Sequence, residues 1–340
     1  MNIGEPNGTS APGDIAPPAR PALSTSRRWD WKRIAHPDAM LPIFIALIAL
    51  LAGIIQPRFW SIDNLLNLLR QMVPLMIISV GQAFAIIVGG LDLSVAAVMS
   101  LSGVAGVLVM QQAGIIPGTL VMLAVGAAVG GASGFIIAYQ RTTPLVVTLG
   151  MLSVAQGLAL IAAGGVPIYD VPAAFVQRIG FDTLLGIPVM VWIAAAVAVA
   201  AALILKRTVF GRYVYAIGSS SAAAAKSGVD VKLCTLLVYM LSGLCAGIGA
   251  LVLTAWVSSA QPIAAPNITL ESLAAVVLGG VALTGGSGSI RQVFLGVLVL
   301  SMLSNVMNMI GVSAYFQTLV VGIVIILAVI LDRVRRRERV

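Results

Sequence analysis

Charge is what this sequence has least of. Only 9% of its residues are Asp, Glu, Lys or Arg, 59% are apolar, and the mean hydropathy is +1.05. Soluble domains carry roughly one quarter charged residues, so a separate soluble domain is excluded. Histidine occurs once, as His36, which leaves no metal-ligand cluster. Cys234 and Cys245 share one apolar run, about 16 Å of helical rise apart; they cannot bridge and read as small core side chains. No Gly-Lys dipeptide exists, which excludes a Walker A phosphate loop. The GGSGS of Gly285 to Ser289 lacks the Lys that such a loop needs and reads as a flexible turn between two spans. With no Ser, His and acid set and no paired carboxylates in an apolar run, the chain is not expected to be an enzyme, nor to hold a metal or cofactor.

What is abundant is apolar sequence. Hydrophobic runs fall at about 39–55, 72–91, 95–112, 115–138, 144–163, 187–205, 233–255, 271–284, 292–309 and 315–331. At roughly 20 residues per crossing, they predict an all-α polytopic transmembrane bundle of about ten spans. Pro42, Pro74, Pro117, Pro144 and Pro188 each fall near the start of a run, where a helix needs no N–H from them. Between the first two runs, Phe59, Trp60 and Ile62 to Leu69 suggest either a short interfacial helix or an early turn of the second span. Gly126, Gly130 and Gly134 recur at intervals of four, as do Gly243 and Gly247. That spacing lets membrane helices approach closely.

The flanks set the orientation. Residues 1–38 hold Pro6, Pro12, Pro17, Pro18 and Pro21 and then a basic, Trp-containing segment, so they read as a disordered, basic cytoplasmic tail. The apolar transmembrane domain covers residues 39–331, and 332–340 form a second basic tail. With both ends inside, seventeen of the twenty Lys and Arg residues face the cytoplasm, leaving Arg58, Arg70 and Arg178 outside. Loops rich in Lys and Arg stay cytoplasmic. The net charge of +8 therefore reflects topology, because a nucleic-acid reader gathers its basic residues on one solvated face. Lys206 to Lys232 is the longest basic interruption. Its stretch from Ser219 to Gly228 has Ser caps, four alanines and a Gly stop, which predicts about two turns of helix.

Asp92, beside Gly89, Gly90 and Ser94, is the leading ionisable candidate near a span. It can cap the next helix, sit near the headgroups or face a pathway. Glu271 opens a run, where a carboxylate complements the helix dipole. Gln82, Gln156, Asn305 and Asn308 place amides within runs; these suit a hydroxyl-rich solute or interhelical hydrogen bonds. IIVGGLDLS (Ile86 to Ser94) and VVLGGVALT (Val276 to Thr284) are similar to each other, as transporter half-repeats are.

GGLDLSVAAVMSLSG, TLGMLSVAQGLALI from Thr148, GRYVYAIG from Gly211, SGVDV from Ser227 and LAAVVLGGVALTGGSGSI from Leu273 occur in this order over most of residues 60–331. Together they resemble the membrane subunit of ribose-type ATP-binding cassette sugar importers. The resemblance implies a permease of the bacterial inner membrane for a monosaccharide, working with a cytoplasmic ATP-binding subunit, a periplasmic sugar-binding protein and a second permease copy, surrounded by lipid. It further implies a coupling loop at Ser219, Ser220, Ser221, Ala223, Ala224, Ser227 and Gly228; the residues themselves offer Gly89, Gly90, Asp92 and Ser94 as a gating or assembly motif and Gln82, Gln156, Asn305 and Asn308 as candidates for lining the pathway. The acidic residue that the family carries before the Ala pair of that loop is missing here. The competing reading is an ion-coupled secondary transporter of a small polar solute, which would need carboxylates or His at mid-membrane.

Overall fold

The computed structural model describes residues 1, 2, 4, 37–313, 315–324 and 326. Apart from residues 1, 2, 4, 37 and 38, the expected disordered tail lies outside the described residues, as does the basic tail 332–340. Helix α1 spans Pro37–Ile55, followed by a 3₁₀ turn Pro57–Trp60, α2 Ile62–Ile87, α3 Val95–Ala113, α4 Ile115–Gln140 and α5 Pro144–Ala163. A short α6 (Ala173–Phe175) runs into a π turn, Val176–Phe181, and a two-stranded hairpin, β1 Thr183–Leu184 with β2 Ile187–Pro188. Leu185 and Gly186 form its turn with φ of 56° and 78°, the left-handed pair that a tight hairpin requires. Then come α7 Val189–Arg207, α8 Val209–Ser219, α9 Ser221–Lys226, α10 Val231–Val257, α11 Ile268–Gly279, α12 Ile290–Met309 and α13 Tyr315–Val324.

Seven of the described helices, not ten, are long and apolar enough to cross a membrane: α2, α3, α4, α5, α7, α10 and α12. The apolar parts of α1 (Leu41–Ile55), α11 and α13 are shorter. For α11 the cause is local. The chain turns at Gly280, whose φ of 101° is left-handed, so the helix stops before the end of the expected run 271–284. Helix α2 begins at Ile62, so of the two readings of the stretch after Trp60 it is the early turns of the second span, and Pro74, expected near the start of a run, lies in the interior of the helix.

The bundle is organised around α2 and α10. Within its apolar span α2 is 89% buried, whereas α5 and α7 are only 17% and 22% buried, which puts α2 at the axis and the other two at the rim. The most extensive helix pairing is α4 against α10. The two glycine rows noted in the sequence meet there: a methyl on Gly126 would strike the Gly243 carbonyl, and one on Gly243 would strike that of Gly126. Small residues substitute for the missing hydrophobic drive between helices in lipid by letting backbones touch.

Candidate functional site: the inner ends of the helices

Beyond α7 the chain turns sharply. Thr208 Oγ1 accepts from the Gly211 N–H at 3.1 Å and donates to the Ile204 carbonyl at 2.6 Å, capping α8 as an N-cap threonine does. Gly211 is required because a side chain there would collide with the Ile204 and Leu205 carbonyls. Helix α8 buries Gly211, Val214 and Ile217 on one face. Its partner α9 is capped by Ser220 Oγ, which accepts from the Ala223 N–H at 3.3 Å. It ends where Gly228 adopts a φ of 83°. Of α9, only Ala224 is buried, at 5% exposure; Ser221, Ala222, Ala223, Ala225 and Lys226 are exposed. A single buried residue makes α9 a protruding knob seated on α8 and the start of α10.

The far end of α8 is joined to the axis of the bundle. Gly218, Gly89, Gly285 and Gly286 come together at backbone distance. A methyl on Gly218 would strike the Ile87 carbonyl and lie 2.5 Å from the Gly286 nitrogen. The Ile87 carbonyl, one of those left open at the end of α2, accepts from the Gly286 N–H at 2.9 Å. Tyr215 Oη donates to the Gly288 carbonyl at 2.7 Å, and burial raises this phenol above its ordinary pKa of 10, so it remains a donor. The GGSGS segment is thus a packed wedge between α8 and α2, not the flexible turn expected. Sequence reasoning missed both α8 and this joint; the signal for α8 was Phe210, Tyr213, Val214 and Ile217 at helical spacing.

Asp92 lies a few residues away, in the link between α2 and α3, and is 1% exposed. Its Oδ1 accepts from the Ser94 N–H at 3.0 Å and the Ser94 hydroxyl at 2.6 Å, and its Oδ2 from the Ser242 hydroxyl of α10 at 2.7 Å. These bonds hold the turn that precedes α3 against α10. The neighbouring Leu91 carbonyl accepts from Tyr239 of α10 and Thr148 of α5, both at 3.4 Å. Gly90 leaves room for the Tyr239 hydroxyl. Ser94 and Gly90 are therefore parts of one node with Asp92, while Gly89 belongs to the glycine joint.

The four amides do not converge. Asn305 is buried and exchanges two 3.1 Å bonds with Asn64 at the start of α2. Asn308 Oδ1 accepts from Gln317 of α13 at 2.7 Å. Gln156 donates to the Pro262 carbonyl. Gln82 is fully buried, and neither amide atom has a partner among the described residues. No group of three or more metal-binding side chains occurs among the described residues.

Residues 64–329 match the family model described as branched-chain amino acid transport system / permease component. The chain belongs to that family. It is a multi-pass membrane permease subunit and not an enzyme. The ribose import permease of Haemophilus influenzae is 38% identical over 295 residues, covering 85% of this chain and 91% of that protein. The ribose import permease of Bacillus subtilis is 38% identical over 298 residues, covering 86% and 91%. The L-arabinose ABC transporter permease of Azospirillum brasilense is 32% identical over 325 residues, covering 95% of each. No solved structure matches.

Proposed function

We propose that this permease forms the membrane pathway of an ATP-driven importer of a neutral monosaccharide in the bacterial inner membrane. It receives sugar from a periplasmic binding protein and is moved by a cytoplasmic ATPase that docks on α9. The observation that carries the coupling is the glycine joint. A knob with one buried residue is continuous with α8, and α8 is fixed by backbone contact to the inner end of the most buried helix. Displacing α9 therefore displaces α2, since packed backbones have no side chains to absorb the motion. Ser219, Ser220, Ser221, Ala223, Ala224, Ser227 and Gly228 serve this docking. With the acidic residue absent from the segment, shape rather than an ion pair supplies the fit.

A second copy of the chain completes the pathway. Helix α5 supports this, because its outward face includes Gly150, Ser153 and Gly157 among larger apolar residues, a surface suited to close approach by another helix. Gln156 and Asn308, at the rim, are the amides retained for the pathway. The Lys- and Arg-rich loops support a cytoplasmic position for both termini. Asp92 is engaged by serines and sits at one end of α2, which favours assembly over ion coupling. The test is sugar uptake by vesicles containing the permease, the ATPase and the binding protein. Uptake should require internal ATP and survive collapse of the ion gradients. Uptake that follows a proton or sodium gradient without ATP would instead identify a secondary transporter.

A further inference from the structure

At the end of the bundle away from α9, a cavity of about 230 Å³ lies between α3 and α10 beneath the segment 258–265. Its polar lining comes from Ser100, Thr254, Ser259 and Gln261; the rest of the wall is Gly103 and apolar side chains of α3, α10 and the segment above, and no charged or aromatic side chain lines it. Thr254 is 4% exposed, and its hydroxyl makes no hydrogen bond among the described residues. A buried hydroxyl is ordinarily paired. Gly103 is needed beside it, for a methyl there would lie 3.0 Å from Thr254 Oγ1.

The roof is held shut by few bonds. The Ala264 N–H donates to Ser100 Oγ at 2.9 Å, Gln156 of α5 donates to the Pro262 carbonyl, and Ala260 pairs with Ile168 through two bonds of 2.8 and 2.9 Å. Ser258 and Ala265 flank the segment with φ of 58° and 41°. Left-handed backbone in residues other than glycine marks places where surrounding structure holds strain. One of the three ties runs to α5, the helix assigned above to the pathway.

We propose that this cavity is an occluding subsite for one neutral, hydroxyl-rich solute the size of a five-carbon sugar, with 258–265 as its hinged roof. The inference rests on the sugar-import reading and names where the solute pauses. Hydroxyl and amide groups without charge match a polyol, and Thr254 supplies the unpaired donor and acceptor. Its occupancy requires the roof to exchange the Ser100 and Gln156 bonds for bonds to solute.

The test uses the full complex in lipid, with Cys234 and Cys245 replaced by alanine and a single cysteine introduced as Ala264→Cys. A small neutral thiol reagent is applied with D-ribose, D-allose or L-arabinose on the binding protein, or with the binding protein empty. A loaded binding protein with ATP should slow labelling at least fivefold for the sugar that is transported, and Thr254→Val should abolish that protection. Leu253→Cys, on the α10 wall, gives the same readout if the first variant does not assemble. Labelling that is indifferent to sugar while ATP-dependent uptake continues would overturn the subsite alone. Loss of ATP-dependent uptake in the unmodified complex would instead overturn the importer reading.

Discussion

Replacing Gly218 by alanine adds one methyl where α8 meets α2. The backbone there is compatible with alanine, since Gly218 is not among the residues with positive φ, and alanine is the better helix former. The whole penalty therefore comes from contact. The methyl meets the Ile87 carbonyl and the Gly286 nitrogen, both backbone, so no side chain can rotate away. Overpacking of this kind costs about 1–3 kcal/mol, and relief requires α8 to move off the end of α2, breaking the Gly286 to Ile87 hydrogen bond. At about 1.4 kcal/mol per tenfold, the joined state loses a factor of about 5 to 150. Sugar uptake per ATP hydrolysed should fall by a comparable factor while the permease still reaches the membrane. Gly131→Ala is the control, because its methyl would meet only the Met240 side chain, at 3.7 Å or more. Wild-type coupling in Gly218→Ala would refute the joint as the transmission point.

Asp92→Ala strands the Ser94 N–H and the Ser242 hydroxyl, each unpaired group costing about 1–3 kcal/mol. Membrane yield and thermal stability in detergent should drop, with Asp92→Asn partly restoring both; a shift confined to the sugar concentration for half-maximal uptake would argue against an assembly role. Gly243→Ala should loosen the α4–α10 seam by about 1–3 kcal/mol, read as a lower unfolding midpoint of the purified permease. A double-mutant cycle on Asn64→Ala and Asn305→Ala should return about 0.6 kcal/mol of coupling, the average for hydrogen bonds between membrane helices. A value near zero would mean that the pair does not hold α12 to α2.

The helices were legible wherever apolarity alone sets them. The run 144–163 coincides with α5, bounded by Pro144 at its first position and by Gly164 with a φ of 64°. Reading failed where tertiary contact overrides composition. The first ten residues of α2 look interfacial because Asp63, Asn64, Asn67 and Arg70 interrupt them, yet Asn64 is partly buried by its pairing with Asn305, 241 positions away. Local pattern carries no trace of that distance. The similarity of IIVGGLDLS and VVLGGVALT is visible in the sequence, and both helices end at their glycine pair. The wedge that links the first copy to α8, Gly285 and Gly286, follows the second copy directly. Glycine rows announce close approach; which row meets which is decided by the fold. For Asp92 the residues left capping, a headgroup position and a pathway position open; the structure puts it in the turn before α3, whose N-cap Ser94 has no side-chain cap bond, and its tie to Ser242 of α10 needed the fold.

If the knob α9 carries the ATPase's movement into the membrane helices, Ala224→Pro should interrupt it. Proline at this position removes the Ala224 N–H bond to the Ser220 carbonyl, 3.0 Å long, and costs an interior helix about 3 kcal/mol or more. No membrane-spanning helix is touched. ATP hydrolysis and sugar uptake are measured together in the assembled, reconstituted complex. Uptake should collapse while the permease remains in the membrane at its normal level. Normal uptake driven by ATP in Ala224→Pro would contradict it.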